Sequence, residues 1–370
     1  MTFFYAFAIM NLNLNKELLN MAVWEPILKS ASCIKKLEKP ILTKADVPYE
    51  AELVFNAGVA KIDGKYVMAF RNDYGTDEES FSNGKGRLMG TAIGVAVSDD
   101  GISNWKVREV PLINYDWGNH VDEIVSRKFG FVHRLYDPRI TVIDNEVYLC
   151  LAMDTNQGIR GCIAKANRDV TDFEIISLSV PDNRNMVLFP EKVNGYYYRL
   201  ERPFQFYLGG PMHRFDLWIS KSPDLKFWGD SEPLLNVAHV PFANGKVGPA
   251  APPIKTSKGW LTTFHAVDTE EENRGQSTWD KPWKSRYCAG IMLLDLDDPA
   301  KIIGMSKSPL IAPELEYETD RGYRQNVIFP GGMILEDNGE VKIYYGASDT
   351  YECVATANVN DLIALCTEAR

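Results

Sequence analysis

The chain has 370 residues, of which 45% are hydrophobic and 24% are charged, and its formal net charge is −10. An acidic chain of this kind has no basic field that could bind a phosphate backbone, which excludes nucleic acid as its main partner. The six cysteines are widely spaced and form no C-x-x-C pair, which argues against a zinc ribbon or a redox motif. We therefore expect buried free thiols and a reducing, cytoplasmic location.

The N-terminal segment is apolar over residues 1–10. It lacks the basic start and the cleavage site of a signal peptide, and it is too short to span a bilayer. We predict a helix over residues 11–28 that docks on another subunit. Residues 1–38 are therefore assigned to a short helical, oligomerising N-terminal extension, and residues 39–370 to a single domain.

One pattern recurs in five units: an apolar strand, a tight turn, and a second strand that ends in an aromatic residue. The turns are Asp63-Gly64, Asp144-Asn145, Asn194-Gly195, Ser257-Lys258-Gly259 and Asp337-Asn338-Gly339. Asn-Gly and Asp-Gly between apolar runs are strong hairpin signals, because both turn positions need a positive φ. A second strand pair follows in each unit, so we predict an all-β fold, a five-bladed β-propeller. A β-sandwich is the all-β alternative.

The innermost strands of a propeller present side chains to the central funnel, so residues at the ends of each first hairpin should converge there. The candidates are Asn56, Arg71, Asp73, Asp137, Asp154, Arg184, Lys192, Arg202, Lys246, His265, Arg324, Asn326 and Asp349. Carboxylates would thus face a cationic group on the opposite units. In an acidic chain, such a group indicates a site for a small anion such as phosphate. For each cation alone, a solvated surface or a salt bridge is the alternative.

Asp137 lies in the stretch Tyr136-Asp137-Pro138-Arg139, directly ahead of a strand-like apolar run. Because proline follows Asp137, we expect an extended backbone at this residue. A short acid at the mouth of a strand, between an aromatic ring and an arginine, suits a proton donor in a pocket. The simpler interpretation is a turn aspartate that caps local backbone.

A series of short motifs resembles glycoside hydrolase family 130, the inverting β-mannoside phosphorylases, in the same order from about residue 39 to residue 366. The motifs include Phe55-Asn56-Ala57-Gly58, Phe70-Arg71-Asn72-Asp73, Tyr136-Asp137-Pro138-Arg139, Glu201-Arg202-Pro203, Phe264-His265-Ala266-Val267-Asp268 and Ala347-Ser348-Asp349-Thr350. The resemblance implies a five-bladed propeller, in agreement with the repeat pattern. Together with the N-terminal segment, it also implies a homo-oligomer, with a hexamer as a candidate.

The resemblance also implies a role for each candidate site residue. Asp137 would be the single catalytic acid. The implied phosphate ligands are Arg184, Arg202, Lys246 and His265. The implied mannosyl subsite contains Asn56, Arg71, Tyr136 and Asp349, and we place Asp73 with them. A phosphorylase needs only the acid, because phosphate is already an anionic nucleophile, whereas an inverting hydrolase also needs a base. In this family the acid is thought to pass its proton through the mannosyl 3-hydroxyl.

The expected reaction is reversible phosphorolysis of 4-O-β-D-mannosyl-D-glucose to α-D-mannose 1-phosphate and D-glucose, with inversion. Residues 351–357 and 279–284 suggest this branch of the family. A phosphorylase of β-1,4-mannooligosaccharides or of β-1,4-mannosyl-N-acetylglucosamine is the alternative within the same reaction class. A β-mannosidase on the same fold and a non-catalytic sugar-binding propeller are alternatives from other classes.

The expected partners are therefore a small disaccharide and phosphate, with no nucleic acid and no membrane. The histidines show no i, i+4 or H-x-H pairing, so we expect no metal site. We also expect no cofactor, since inorganic phosphate acts as a co-substrate.

Overall fold

The computed structural model describes residues 29–76, 88–116, 132–205, 215–269 and 285–367. Within these ranges the chain forms five antiparallel sheets, each built mainly from consecutive strands. They are the blades of a five-bladed β-propeller, so the predicted all-β fold is confirmed. The helix predicted over residues 11–28 lies outside the described residues. The homo-oligomer and the cytoplasmic location stay predictions.

The strands are numbered in chain order from β1 (Lys35–Lys36). Blade one contains β2 (Leu53–Ile62), β3 (Lys65–Thr76), β4 (Leu88–Ser98) and β5 (Lys106–Val107), with β6 (Ile113–Asp116) also beside β4. Blade two contains β7 (Val132–Ile143), β8 (Glu146–Thr155), β9 (Gly158–Ala166) and β10 (Phe173–Leu178). Blade three contains β11 (Asn183–Leu188), β12 (Tyr197–Pro203), β13 (Leu217–Ser222) and β14 (Gly229–Leu235).

Blade four contains β15 (Lys246–Pro249), β16 (Ile254–Thr256), β17 (Gly259–Thr269), β18 (Ser285–Leu294) and β19 (Ile302–Met305). Blade five contains β20 (Ile328–Leu335), β21 (Glu340–Ala347) and β22 (Tyr351–Asn358), together with β1. The described helices are short: 3-10 turns at Lys44–Asp46 and Val237–His239, α1 (Glu316–Thr319) and α2 (Val359–Thr367). No helix among the described residues has the length and apolar character needed to cross a membrane.

The hairpin turns lie where the sequence predicts them. Asp63 and Gly64 join β2 to β3 with φ of 50° and 78°, and Asp144 and Asn145 join β7 to β8 with φ of 49° and 64°. These are the positive values that the tight turns of hairpins require. Local turn chemistry therefore sets the inner hairpins of the blades.

The outer strand of blade five comes from the other end of the chain. Lys35 and Lys36 of β1 pair with Thr356 and Ala355 of β22. The Nζ atom of Lys36 also lies 2.7 Å from an oxygen of Glu318, whose side chain is fully buried. The described part of the predicted extension thus completes the propeller. Sequence reasoning missed this strand because two consecutive lysines carry no apolar strand pattern.

Arg139 connects the inner edges of four blades and is 3% exposed. Its guanidinium donates to the carbonyl oxygens of Ala250 at 2.7 Å, Pro138 at 2.8 Å, Pro330 at 3.2 Å and Asn56 at 3.3 Å. Asn56 belongs to blade one, Pro138 to blade two, Ala250 follows the first strand of blade four, and Pro330 belongs to blade five. One buried side chain therefore satisfies backbone acceptors around most of the ring.

We predict that Arg139→Met lowers the free energy of unfolding by about 3–5 kcal/mol, because it leaves several buried carbonyl oxygens without donors. Denaturant unfolding followed by tryptophan fluorescence measures the change. Lys255→Met is the matched control, since it removes an exposed ion pair with Glu191 and should cost less than about 1 kcal/mol. Equal losses in the two variants would contradict the role given to Arg139.

Candidate active site

Four inner strands change register at a β-bulge, and in three of them the bulge contains a polar residue with a left-handed backbone. These residues are Asn56 in β2, Asp137 in β7 and Asn185 in β11, with φ of 53°, 52° and 59°. Asn and Asp tolerate this region better than most residues, and bulges redirect side chains. The extended backbone predicted for Asp137 is wrong, since the bulge outweighs the local preference imposed by Pro138.

The bulges bring the side chains of different blades together at Asp137. Asn56 Nδ2 donates to Asp137 Oδ1 at 3.0 Å, and Arg71 Nη1 donates to the same oxygen at 3.2 Å. Among the described residues, the other oxygen, Oδ2, accepts no hydrogen bond. Asp137 therefore keeps one carboxylate oxygen available to a ligand.

The pKa of Asp137 is held below its usual range. Burial alone would raise it, but the charges of Arg71 and Arg139 and the hydrogen bond from Asn56 lower it by more. The sequence leaves this balance open because it depends on distances between blades. In the structure the arginines prevail, so Asp137 is ionised at neutral pH.

Arg71 also lines a cavity of about 300 Å³. Leu53, Phe55 and Leu88 form its apolar wall, and Tyr323 lies at its edge with 38% of its surface exposed. Apolar and aromatic walls with a few directed polar groups are typical of small-molecule pockets. The cavity is therefore a candidate site for a sugar unit.

The charged groups of this cavity are paired with one another. Arg71 Nε lies 2.8 Å from Asp73 Oδ1, and Arg324 Nη1 lies 2.9 Å from Asp349 Oδ2. Thr91 donates a further hydrogen bond of 3.0 Å to Asp73. Burial raises the pKa of Asp349 although Arg324 and Arg71 oppose it. Since positive and negative side chains compensate here, the cavity suits a neutral ligand.

Tyr136 connects the cavity to a second group of side chains. Its hydroxyl donates to Asp154 Oδ1 at 2.9 Å and accepts from Arg184 Nη1 at 3.2 Å. Asp154 Oδ2 pairs with Arg134 Nε at 2.7 Å, and Arg134 lines the cavity. The guanidinium of Arg71 lies 5.0 Å from the centre of the Tyr136 ring. The phenol thus lies between the sugar-sized cavity and Arg184.

Arg184 and Arg202 stand opposite each other on β11 and β12. Arg202 Nη1 lies 2.7 Å from His265 Nε2, and His265 Nδ1 lies 3.0 Å from the carbonyl oxygen of Pro249. Because the carbonyl can only accept, Nδ1 carries the proton and Nε2 accepts from Arg202. Burial and the charge of Arg202 hold the pKa of His265 well below its usual range. His265 is therefore neutral and orients Arg202.

The close packing of this pair depends on Gly248. A Cβ atom at this position would lie 2.5 Å from His265 Cε1 and 2.8 Å from Arg202 Cδ. No real Cβ atom is tolerated at such distances without movement of its neighbours. The glycine therefore lets the arginine and the imidazole lie against the backbone of β15.

Lys246 adds a further basic group at the start of β15. Burial, Arg202 and Arg184 lower its pKa to about 7, and burial and Arg184 lower the pKa of Arg202 to about 9. Within the described ranges, neither group has a carboxylate in ion-pair contact. The Nε atoms of Arg184 and Arg202 are buried there without a hydrogen-bond partner. Buried cations without counter-charges predict a bound anion.

The residues predicted to converge on the central funnel have three outcomes. Asn326 makes only backbone hydrogen bonds within the described ranges, from its N–H to the carbonyl oxygen of Glu318 and from the N–H of Tyr287 to its own carbonyl oxygen, and does not join the connected side chains. Twelve of the predicted residues lie in the connected site: Asn56, Arg71, Asp73, Tyr136, Asp137, Asp154, Arg184, Arg202, Lys246, His265, Arg324 and Asp349. The placement of Lys192 at the central funnel is wrong, because Lys192 is exposed and lies 4.5 Å from the ring of Tyr197.

Sequence reasoning missed several residues of the cavity, among them Arg134 and Thr91. Arg134 could have been found, because it precedes Tyr136 by two positions and therefore shares its face of the strand. No local signal indicates Thr91. No group of three or more His, Cys, Asp or Glu in the described part of the chain is arranged to hold a metal ion, and the absence of a metal site stays a prediction.

The fold and the site define a class: a propeller in which Asp137 lies between a sugar-sized cavity and a buried cluster of basic side chains. Comparison with known families gives the same class. The model of glycoside hydrolase family 130, described as beta-1,4-mannooligosaccharide phosphorylase, matches residues 26–368. The chain belongs to glycoside hydrolase family 130, as the motifs predicted.

Relatives in this family carry several linkage specificities. The 1,2-beta-oligomannan phosphorylase of Thermoanaerobacter sp. strain X514 is 32% identical over 89% of this chain and 98% of its own length. The 4-O-beta-D-mannosyl-D-glucose phosphorylase of Bacteroides fragilis is 27% identical over 95% of this chain and 89% of its own. The structure of a Listeria innocua beta-1,2-mannobiose phosphorylase in complex with beta-1,2-mannobiose superposes with a TM-score of 0.72 at 26% identity, covering 91% and 99% of the two chains. These identities do not single out one substrate.

We predict that sulfate binds this cluster less tightly as the pH rises. The lowered pKa of Lys246 means that the lysine loses its proton near pH 7, while a bound anion favours the charged form. Sulfate keeps its own charge, so its affinity should fall more than about tenfold from about pH 6 to about pH 9. Titration calorimetry measures the dissociation constant. Lys246→Met should bind weakly with a much smaller pH dependence, and a pH-independent wild type would contradict the prediction.

Proposed function

We propose that the chain is an inverting phosphorylase of β-mannosides, with inorganic phosphate as the nucleophile. The observation that carries the proposal is the contrast between two neighbouring regions. The cavity balances its charges internally, whereas Arg184, Arg202 and Lys246 form a buried positive cluster in which none has a carboxylate in ion-pair contact among the described residues. A hydrolase that activates water would not need such a cluster.

The mannosyl unit would occupy the cavity beside Asp137. Asn56, Arg71, Asp73, Tyr136 and Asp349 would bind its hydroxyl groups, since they supply donors and acceptors in compensated pairs. Phosphate would bind to Arg184, Arg202 and Lys246, with His265 holding Arg202 in position. No metal or organic cofactor is needed, because phosphate brings its own negative charge to the reaction.

Asp137 would act as the acid and must therefore be protonated in the reacting complex. Its pKa is lowered by Arg71, Arg139 and Arg184 against the effect of burial. A phosphate dianion beside Arg184 offsets part of this positive charge, so its binding should raise the pKa of Asp137. Phosphate would thus supply the nucleophile and also favour protonation of the acid.

In the proposed reaction a phosphate oxygen forms a bond to the anomeric carbon while the bond from that carbon to the leaving sugar breaks. The proton of Asp137 moves to the glycosidic oxygen, through the mannosyl 3-hydroxyl as the family resemblance implies. Attack from the opposite face inverts the configuration and yields α-D-mannose 1-phosphate. Since phosphate is the nucleophile, no second carboxylate is required as a base.

For the leaving sugar we propose D-glucose, with 4-O-β-D-mannosyl-D-glucose as the substrate; β-1,4-mannooligosaccharides and β-1,4-mannosyl-N-acetylglucosamine are the alternatives. The described residues of the tail that suggested this branch, 351–357, belong to β22 and do not line the cavity. An acceptor panel in the synthetic direction, with α-mannose 1-phosphate as donor, tests the choice. Equal rates with all acceptors would remove the preference for glucose.

Cleavage of the mannoside should require phosphate. Incubation with 4-O-β-D-mannosyl-D-glucose should release mannose 1-phosphate when phosphate is present and should release no mannose when it is absent. Chromatography or an enzyme-coupled assay of both products makes the measurement. Equal release of free mannose without phosphate would contradict the phosphorylase activity and indicate a β-mannosidase. The acceptor panel detects the case in which this disaccharide is the wrong substrate.

Removal of the proposed acid should abolish most of the turnover. Asp137→Asn should lower kcat by about 100-fold to 10,000-fold, because the amide cannot donate the proton that the leaving sugar needs. The midpoint of thermal unfolding should change little, since Asn keeps the shape of the side chain. Asp99→Asn is a control on an exposed ion pair with Lys65 and should leave kcat unchanged. Full activity in Asp137→Asn would show that another group is the acid.

A further inference from the structure

We propose that Asp154 is a positioning residue for phosphate, which it serves by fixing Tyr136 and thereby Arg184. The inference rests on the proposed function and assigns a role to a carboxylate that contacts neither reactant. Asp154 lies in β8, one strand away from the acid in β7.

Both oxygens of Asp154 are engaged. Oδ2 pairs with Arg134 Nε at 2.7 Å, and Oδ1 accepts from the hydroxyl of Tyr136 at 2.9 Å. Asp154 stands directly opposite Arg134 in the register of β7 and β8, so backbone pairing fixes its position. The carboxylate therefore has a single arrangement, with one oxygen on the cavity side and the other on the phenol.

The hydroxyl of Tyr136 has a single proton, so it can donate only one of its two hydrogen bonds and must accept the other. Because Tyr136 donates its proton to Asp154, only its oxygen lone pairs face Arg184, which donates from Nη1 at 3.2 Å. Asp154 thus sets the direction of both hydrogen bonds. Without an acceptor at this position, the phenol would be free to rotate away from the arginine.

Arg184 needs this support because it lies opposite Arg202 in the strand pair. Burial and Arg184 lower the pKa of Arg202 to about 9. The pKa of Arg184, in contrast, is raised above its usual value, since Tyr136, Asp137 and Asp154 outweigh the effect of burial. The same contacts that keep Arg184 charged also hold its guanidinium on the side of the acid.

The arrangement predicts that loss of the Asp154 carboxylate raises the KM for phosphate more than the KM for the mannoside. Loss of the Asp154 charge would leave Arg184 mobile and less well compensated, so phosphate would have to order it on binding. The mannosyl contacts of Asn56, Arg71 and Asp349 would remain in place, although Arg134 would lose its partner. A general packing role would instead lower stability or change both Michaelis constants together.

The test compares Asp154→Asn with wild type. The amide is nearly isosteric, but it has no charge and only one acceptor oxygen, so it cannot accept from both Arg134 and the Tyr136 hydroxyl as the carboxylate does. We expect the KM for phosphate to rise about tenfold, and the KM for the mannoside less than about threefold, as expected for loss of one buried charge-assisted contact. Glu146→Gln is the matched control: it lies on the same strand, in an exposed pair with Lys165, and should change neither constant.

A double-mutant cycle with Tyr136→Phe tests the route through the phenol. If Asp154 acts through Tyr136, the two changes together should raise the phosphate KM by far less than the product of the single effects. Calorimetric titration of phosphate into each variant gives the same comparison without turnover. An unchanged phosphate KM in Asp154→Asn, equal factors for both substrates, or full additivity would each overturn the inference. Absence of phosphorolysis in wild type would overturn the proposed function instead.

Discussion

The hydrogen bonds of Arg139 are the constraint on which the site depends. Its guanidinium binds backbone carbonyl oxygens of blades one, two, four and five. Two of these carbonyls belong to Asn56 and Pro138, so the same buried side chain holds both bulges that meet at Asp137. Gly58 permits this approach, because a Cβ there would lie 2.6 Å from Arg139 Cα. The position of the acid therefore follows from the packing of the inner strands.

The charges on the two sides of Asp137 serve different purposes. On the cavity side, Arg71 and Arg324 are neutralised by Asp73 and Asp349, which suits a neutral sugar. On the other side, burial and mutual repulsion lower the pKa values of Arg202 and Lys246. A bound anion would relieve that strain. An acidic chain could thus hold phosphate, as proposed, because the positive charge is local and buried.

The sequence predicted much of the site through motifs, and its errors have specific physical reasons. Asp137 was expected in an extended backbone because Pro138 follows it, but the bulge in β7 gives a φ of 52°. His265 was expected among the cations, yet its burial and its bond to Arg202 keep it neutral. Asp154 was placed at the central funnel without a role. Each outcome depends on partners in other strands, which residue types alone do not specify.

The sequence by itself determined the all-β class and the inner hairpins, because turn chemistry and strand alternation act between near neighbours. Only the tertiary structure decided that β1 completes blade five, that Arg139 joins four blades, and that nearby arginines keep Asp137 ionised. These contacts join residues far apart in the chain: Asn56 and Asp137 are separated by 81 positions, and Arg139 and Ala250 by 111. Electrostatic free energies depend on distance and burial. Both quantities exist only after the five blades have closed into a ring.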